Sequence, residues 1–180
     1  LTRTRMVQFS RLILRLRRIV RQVSGEVGKS VRFDADDVEW ELDRNVLERI
    51  VAPLEHMLRN AVDHGIEDEE TRIESGKPVQ GRISLRLSRE GGNVVLTFSD
   101  DGGGIDVNAV RAKAIERGLI TEGQDLPNRE VMQFIIRAGF STAQKLTQIS
   151  GRGVGMDVVS VEIKALGGSL AIDSTLGVGT

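Results

Sequence analysis

The feature that most constrains the fold is a pair of neighbouring strand-like segments that ends in acidic residues and glycines. Residues 82–89 alternate Ile83, Leu85 and Leu87 with polar side chains, and residues 93–99 follow after Glu-Gly-Gly. Alternation with a period of two, joined by a short glycine-bearing connection, predicts an antiparallel hairpin. The second strand leads directly into Asp-Asp-Gly-Gly-Gly.

The rest of the chain mixes helical and strand patterns. Apolar residues at helical spacing predict a long helix that ends at Gly65, and Pro53 predicts a kink or a junction near residue 52. Because helices and antiparallel strands do not alternate strictly, we expect an α+β layer sandwich rather than a doubly wound parallel sheet. The other predicted elements are a strand around residues 31–33, helices at 106–117, 128–138 and from the 150–155 glycine segment to Leu166, and a strand at Ser169–Asp173.

The first segment is basic and amphipathic. Its apolar residues are spaced three and four apart, which predicts the seam of a two-helix packing. Residues 1–32 carry nine arginines and lysines against one acid, Glu26. Few aromatic residues lie among these arginines, so a solvated helix face is favoured over a nucleic-acid or membrane surface. The seam consists of Met6, Phe9, Ile13, Leu16, Val20 and Val23.

Composition excludes several classes of protein. The net charge of −1 argues for neither nucleic acid nor acidic substrates, and the absence of cysteine excludes disulfides and thiolate chemistry. No apolar run approaches the roughly 18–20 residues that span a bilayer. Since the chain begins without Met and stops at Thr180 after Leu-Gly-Val-Gly, we expect it to be a fragment of a longer protein.

A first polar cluster lies on the long helix. His56, Asn60 and His64 are four residues apart and form one stripe, with Asp63 beside it. The amide oxygen of Asn60 suits a Mg²⁺ ion that is otherwise held by water and phosphates. Zinc is disfavoured because the two histidine Cα atoms would lie roughly 12 Å apart. An ordinary polar helix face remains the alternative.

A second cluster, Asp100-x-Gly102-x-Gly104, stands at a strand end. Its carboxylate could accept a hydrogen bond from an adenine amino group, and the glycines let the backbone approach a ligand. A calcium loop is excluded, because Ile105 and Arg111 stand where that motif needs Gly and Glu. The alternative is a plain acidic turn.

A third cluster, Gly151-x-Gly153-x-Gly155, opens a predicted helix, where free amides and the helix dipole favour phosphate. The motif lacks the Gly-Lys-Ser/Thr ending of a P-loop. Met156 also stands where a dinucleotide-binding fold needs its third glycine.

Taken in order, these motifs resemble those of the CheA-like chemosensory histidine kinases of the GHKL ATPase superfamily. The resemblance runs from about residue 36 to the end. The strings that are specific to chemosensory kinases are residues 59–67 and 150–157. The motifs are His56-x-x-x-Asn60-x-x-Asp63-His64-Gly65, Asp100-Asp101-Gly102-x-Gly104, Gly139-Phe140-Ser141-Thr142, residues 150–157 and Gly177-x-Gly179-Thr180.

The resemblance implies an α+β, two-layer α/β sandwich of the Bergerat type with an N-terminal helix, and it implies ATP and Mg²⁺ as cofactors. Asn60 would bind the metal, Asp100 would read adenine, and Thr180 would close the adenine pocket. His56 and Lys113 would be catalytic, with His56 near the γ-phosphate and Lys113 and His64 as phosphate neighbours. Residues 106–149 would form a lid in which Phe140 packs. The implied cofactor-binding residues are Asn60, Asp63, His64, Asp100, Gly102, Gly104, Ile105, Gly151, Arg152, Gly153, Val154, Gly155, Met156 and Thr180.

By the same resemblance, residues 1–30 would be the end of a dimerisation helix with a linker, and residues 31–180 a kinase catalytic domain truncated at its C-terminus. The γ-phosphoryl group would pass to a histidine on a separate phosphotransfer domain and then to a response regulator. The full protein would be a cytoplasmic homodimer that works with a CheW-like coupling domain and a chemoreceptor array. No nucleic-acid binding or direct membrane insertion is expected.

Two alternatives remain open. Hydrolytic relatives of the same fold place a glutamate four residues before the metal asparagine to activate water, whereas this chain has His56 there and Glu55 on another face. Transfer is therefore favoured over hydrolysis. The second alternative is a pseudokinase or scaffold that binds nucleotide only for structure.

Overall fold

A computed structural model describes residues 5–137, residue 140 and residues 155–180. The strands are β1 (Met6–Gln8), β2 (Val31–Ala35), β3 (Glu41–Asp43), β4 (Gly81–Glu90) and β5 (Asn93–Asp100). The α-helices are α1 (Phe9–Val27), α2 (Arg44–Asn60), α3 (Glu69–Glu74), α4 (Val107–Glu116), α5 (Asn128–Met132) and α6 (Met156–Ala165). A π-helical turn, Ala61–Gly65, extends α2, and a 3₁₀ turn, Gln133–Ile136, extends α5.

The sheet confirms the predicted hairpin. Its strand order is β2-β4-β5, with β2 parallel to β4 and β4 antiparallel to β5. Ile83 lies between Phe33 and Asp100, and Leu85 lies between Ala35 and Phe98. This register places Asp100 at the end of β5 beside a buried strand. The short strands β1 and β3 form a separate antiparallel pair.

One hydrophobic core joins the sheet to α1 and α2. Leu16 of α1, Leu54 and Leu58 of α2, and Ile83 and Leu85 of β4 are all buried in it. Helices cover one face of a mixed sheet, as the predicted α+β class requires. The division of the chain at residue 30 stays a prediction, although α1 contributes to the same core as the sheet.

The predicted seam of α1 is partly wrong. Met6 lies in β1 and is half exposed, while Leu12 and Ile19 are buried in its place. The helix begins only at Phe9, because Met6–Gln8 is paired with β3. The buried face of α1 packs on α2 and β2 of the same chain, which gives a wider apolar stripe than a two-helix seam.

The predicted junction near residue 52 is also wrong. The helix α2 runs unbroken from Arg44 through Pro53 to Asn60. Proline in a helix removes one hydrogen bond and crowds the preceding turn. The Pro53 side chain is buried, so its packing offsets this loss. The irregular geometry falls instead at the π-helical turn, which ends at Gly65 as predicted.

The predicted strand Ser169–Asp173 is not formed. The main-chain groups of Ile172 bind the Gln133 side chain instead: Ile172 N donates to Oε1 at 3.2 Å, and Gln133 Nε2 donates to Ile172 O at 2.6 Å. A side-chain amide thereby satisfies the groups that a neighbouring strand would pair. The segment has no regular secondary structure and no sheet partner among the described residues.

A second, smaller core lies under α4 and α5. The predicted helix 106–117 is α4, and the predicted helix 128–138 is α5 with its 3₁₀ turn, which ends at Ile136. Phe140 is buried and stacks on Phe134, with ring centroids 6.1 Å apart. No described helix is long and apolar enough to cross a membrane.

Candidate functional site

The Asp100 carboxylate stands at the end of β5 with one oxygen bound and the other open. Its Oδ1 accepts from the amides of Gly102 at 2.9 Å and Thr180 at 3.3 Å. The Asp100 amide in turn donates to Thr180 O at 2.9 Å. No described residue donates a hydrogen bond to Oδ2. The carboxylate therefore presents one fixed acceptor that a ligand amino group can use.

Burial raises the pKa of Asp100 above its usual value. The hydrogen bonds from Gly102 and Thr180 act against this shift, and the charges of Asp101 and Glu67 add to it. Desolvation disfavours the ionised form of a buried carboxyl. A hydrogen-bond donor from a ligand would restore the stabilisation that water otherwise supplies.

Glycines allow the turn after Asp100 to contact the end of the long helix. A Cβ on Gly102 would overlap the carbonyl oxygen of Gly65, and the Gly103 amide donates to that same oxygen at 3.0 Å. A Cβ on Gly65 would lie 3.2 Å from Asp100 Oδ2. The first and second sequence clusters thus meet at a backbone contact that only glycine permits.

The C-terminal turn closes the other side of this loop. The Ile105 amide donates to Ser174 Oγ at 2.8 Å, and the Gly177 amide donates to Gly103 O at 2.7 Å. Gly104 has a φ of 71°, and a Cβ there would overlap the carbonyl of Thr175. Residues 100–105, the Asp100 loop, are therefore held between the π-helical turn and residues 174–177.

Helices α2 and α6 lie side by side, which brings the first cluster to the start of α6. Asn60 Nδ2 donates to Met156 Sδ at 3.7 Å. One turn earlier on α2, His56 Nδ1 lies 3.6 Å from Glu162 Oε1 on α6. That nitrogen is buried and has no hydrogen-bond partner among the described residues. The first residue of α6, which follows the glycine motif, therefore lies beside Asn60.

The donor set around Asn60 suits a metal held mainly by phosphate and water. Its amide nitrogen faces Met156, and no described residue donates a hydrogen bond to its Oδ1. Residues 5–137, 140 and 155–180 contain no group of three or more His, Cys, Asp or Glu that could hold a metal. A single neutral oxygen ligand fits Mg²⁺, which keeps several waters and binds substrate phosphates.

The π-helical turn carries Asp63 and His64. His64 is exposed, and its Nε2 lies 3.6 Å from Asp63 Oδ2. Lys29 stabilises the turn: its Nζ donates to the carbonyls of Val62 at 2.9 Å and of Asp63 and Ile66 at 2.7 Å. Burial lowers the pKa of Lys29. This lysine satisfies carbonyls that the end of a helix leaves unpaired.

Lys113 lies in the second core region. Its Nζ is 5.3 Å from the Phe140 ring centroid, and Arg117 stacks on the same ring at 5.4 Å. Burial and the neighbouring Arg117 charge lower the pKa of Lys113. Its predicted contact with phosphate stays a prediction. Gly151, Arg152, Gly153 and Val154 lie outside the described residues, so only Gly155 and Met156 of the third cluster are placed.

Sequence reasoning missed an ionic cluster that surrounds a buried arginine behind the turn after Asp100. It consists of Glu67, Arg72, Lys77 and Asp101, and the Arg72 side chain is fully buried. Lys29 and Ser174 were missed as well. Each is a common polar residue in a loop, a turn or the short helix α3, and a single sequence carries no signal that separates such residues from solvated ones.

Comparison with known proteins places the chain in a family. The profile described as "Histidine kinase-, DNA gyrase B-, and HSP90-like ATPase" matches residues 50–180. The chain belongs to this ATPase family. Its fold is similar to that of the catalytic domain of the histidine kinase ThkA (TM-score 0.54, 13% identity, 99% of this chain and 92% of that one). It is also similar to the mycobacterial sensor histidine kinase MprB (TM-score 0.53, 18% identity, 94% and 86%).

Within the family, the sequence is similar along nearly its whole length to CheA chemotaxis kinases, in agreement with the resemblance found in the sequence. It is 45% identical over 176 residues to the chemotaxis protein CheA of Treponema pallidum, covering 98% of this chain and 22% of that protein. Identity is 46% over 166 residues to CheA of Rhizobium meliloti (92% and 22%) and 43% over 180 residues to the sensor histidine kinase CheAY of Helicobacter pylori (99% and 22%). The chain thus spans about a fifth of the length of these relatives.

Proposed function

We propose that this chain is the ATP-binding catalytic domain of a chemotaxis-type sensor histidine kinase. It transfers the γ-phosphoryl group of ATP to a histidine on a separate phosphotransfer domain. The bond from the γ-phosphorus to the β–γ bridging oxygen breaks, a phosphorus–nitrogen bond forms, and ADP leaves. Membership in an ATPase family implies ATP binding, and the kinase relatives favour transfer to protein.

The observation that carries the proposal is that the helix end bearing the first sequence cluster contacts both the turn after Asp100 and the first residue of α6, which follows the third cluster. Asn60 contacts Met156, and the turn after Asp100 contacts Gly65 through backbone groups. The Asp100 carboxylate would read adenine at one end of the nucleotide, and the Asn60 amide would bind the metal at the phosphate end. Magnesium, held by Asn60 and the phosphates, would neutralise phosphate charge when bound.

His56 is proposed to lie near the transferred group. It stands one turn before Asn60, and its buried Nδ1 has no hydrogen-bond partner within the described part of the chain. A positioned group that orients or exchanges a proton contributes about 10²–10⁴-fold to a rate. Lys113 and His64 are proposed as phosphate neighbours, Asp63 as a further cofactor-binding residue, and residues 151–155 as the phosphate-binding turn.

In the longer protein, the partners are proposed from the chemotaxis relatives. They are a histidine phosphotransfer domain, a response regulator, and a CheW-like coupling domain with its chemoreceptor array. We propose a cytoplasmic homodimer, with residues 1–30 as the end of the dimerisation helix.

The first prediction concerns His56. With radiolabelled ATP and a purified phosphotransfer domain as acceptor, the unchanged chain should produce acid-labile phosphohistidine. His56→Gln should lower the transfer rate by about 100-fold while ATP affinity stays within about threefold. The matched control is Glu55→Gln, the neighbouring position on α2, which should transfer at the normal rate.

Unchanged transfer by His56→Gln would remove that residue from the mechanism. Release of free phosphate without labelling of the acceptor would instead support a hydrolytic ATPase. Nucleotide binding with neither labelling nor phosphate release would support a scaffold.

A further inference from the structure

We infer that Lys77 and Arg72 are positioning residues, which hold the Asp100 loop in the shape that lets Asp100 select a purine that carries an amino group. The inference rests on the proposed function and names two residues that support its selectivity for adenine. Both residues lie behind the loop, on the segment between the π-helical turn and β4. Neither belongs to any of the motifs found in the sequence.

The two cations sit in a compact, charge-balanced cluster. The fully buried Arg72 donates from Nη1 to Glu67 Oε1 and from Nη2 to Asp101 Oδ2, each at 3.0 Å. Lys77 Nζ donates to Glu67 Oε2 at 2.7 Å. Two positive and two negative groups pair completely, which is the condition under which buried charges are tolerated.

Burial alone would raise the pKa of Glu67, but several contacts together reverse the shift and lower it. They are the hydrogen bond from Lys77, a hydrogen bond from the backbone and the charges of Lys77 and Arg72. Glu67 therefore stays ionised at neutral pH. The ionised carboxylate keeps both cations in place.

The same cations bind the main chain of the Asp100 loop. Lys77 Nζ donates to the carbonyls of Asp101 at 3.0 Å and Gly102 at 2.8 Å. Arg72 Nη1 donates to the Asp101 carbonyl as well, at 3.2 Å. Two successive carbonyls are therefore turned toward the cluster.

A trans peptide is planar, so a fixed carbonyl also fixes the direction of the following amide on the opposite side. The amide that follows the Asp101 carbonyl is that of Gly102, which donates to Asp100 Oδ1 at 2.9 Å. The amide that follows the Gly102 carbonyl is that of Gly103, which donates to Gly65 O at 3.0 Å. The cluster thereby orients the Gly102 amide, which holds Oδ1 of the carboxylate, and the Gly103 amide, which holds the loop against Gly65.

Selectivity between ATP and inosine triphosphate tests this role, because inosine has a carbonyl oxygen where adenine has the amino group. The unchanged chain should bind Mg²⁺-ATP at least about 100-fold more tightly than Mg²⁺-ITP, since a site built for a hydrogen bond rejects the analogue that lacks it. Lys77→Met should weaken ATP binding by about tenfold and leave ITP binding unchanged, so that the ratio falls to about ten. Lys77→Arg should restore a ratio near that of the unchanged chain.

A stability control separates positioning from general destabilisation. Leu16→Ala on α1 removes buried packing far from the loop in sequence and should lower the unfolding midpoint while keeping the ATP/ITP ratio. Should Lys77→Met fail to fold, Lys77→Gln, which keeps a neutral donor on a shorter stem, replaces it with the same expected direction.

An ATP/ITP ratio that stays at the unchanged value in Lys77→Met or Lys77→Gln would overturn the positioning role. Equal weakening for both nucleotides would overturn it as well. Failure of the unchanged chain to bind ATP would overturn the proposed function itself, so the two failures are distinguishable.

Discussion

Asp100→Asn is expected to abolish measurable ATP binding while leaving the protein at least as stable as before. The asparagine oxygen can still accept from the Gly102 and Thr180 amides, as Asp100 Oδ1 does. The amide nitrogen then takes the place of Oδ2 and presents a donor to the adenine amino group, which is itself a donor. An unpaired polar group in such a site costs about 1–3 kcal/mol, and opposed donors cost more, so affinity should fall at least about 100-fold.

The expected stability of the Asp100→Asn variant follows from the raised pKa of Asp100. Burial makes the ionised carboxylate less favourable in the folded protein than in the unfolded chain. The contribution of this group to stability is therefore full below its unfolded pKa and is lost as pH rises through the higher folded pKa. At neutral pH the asparagine variant avoids that loss and should melt at the same or a higher temperature. The gain should vanish in acid, where Asp100 is protonated.

Calorimetric titration with Mg²⁺-ATP measures the affinity, and thermal unfolding at neutral and acidic pH measures the stability. The matched control is Asp106→Asn, because Asp106 caps α4 through the amides of Asn108 and Ala109. Asparagine caps helices about as well as aspartate, so this variant should keep both ATP affinity and stability. ATP affinity within threefold of normal in Asp100→Asn would rule out the assigned role of Asp100.

Gly102→Ala is expected to damage both the fold and the site, whereas Gly103→Ala should damage neither. A Cβ at Gly102 would overlap the Gly65 carbonyl oxygen and lie 3.0 Å from Asp100 Oδ1. The neighbouring Gly103 has room, since its nearest atom to a Cβ is Glu67 Cγ at 3.8 Å. The loop of the Gly102 variant must move away from the π-helical turn, and the Asp100 carboxylate moves with it.

Overpacking of a tight contact costs about 1–3 kcal/mol, and ATP affinity should fall at least about tenfold when the carboxylate is displaced. Urea unfolding and calorimetric titration of the two alanine variants give the comparison. Equal behaviour of Gly102→Ala and Gly103→Ala would contradict the close approach on which the site is built.

The sequence was sufficient for those parts of the fold and site whose signal is local. Alternation in the two hairpin strands predicted β4 and β5, and the glycines around Asp100 predicted a turn that a ligand could approach. The end of the long helix at Gly65 was predicted as well. Each depends on a residue's own conformational preference or on a short period in the pattern.

Other parts depend on tertiary partners that no local pattern reveals. Ser169–Asp173 has the composition of a strand, but Gln133, distant in sequence, binds its backbone instead. Pro53 is accommodated inside α2 because its side chain is buried. Arg72 in the short helix α3 and Lys77 shortly after it have the sequence context of solvated residues, and only the path of the chain brings them under the turn after Asp100.

The most direct test of the central claim is a calorimetric titration of Mg²⁺-ATP into the purified chain and into its Asn60→Asp variant. The variant replaces a neutral metal ligand with a charge that repels phosphate, and it removes the donor that faces Met156. We expect saturable one-site binding by the unchanged chain and binding at least about tenfold weaker in the variant. A folded chain that shows no saturable binding, or a variant that binds Mg²⁺-ATP as tightly as the unchanged chain, would contradict the nucleotide site proposed between α2, α6 and the Asp100 loop.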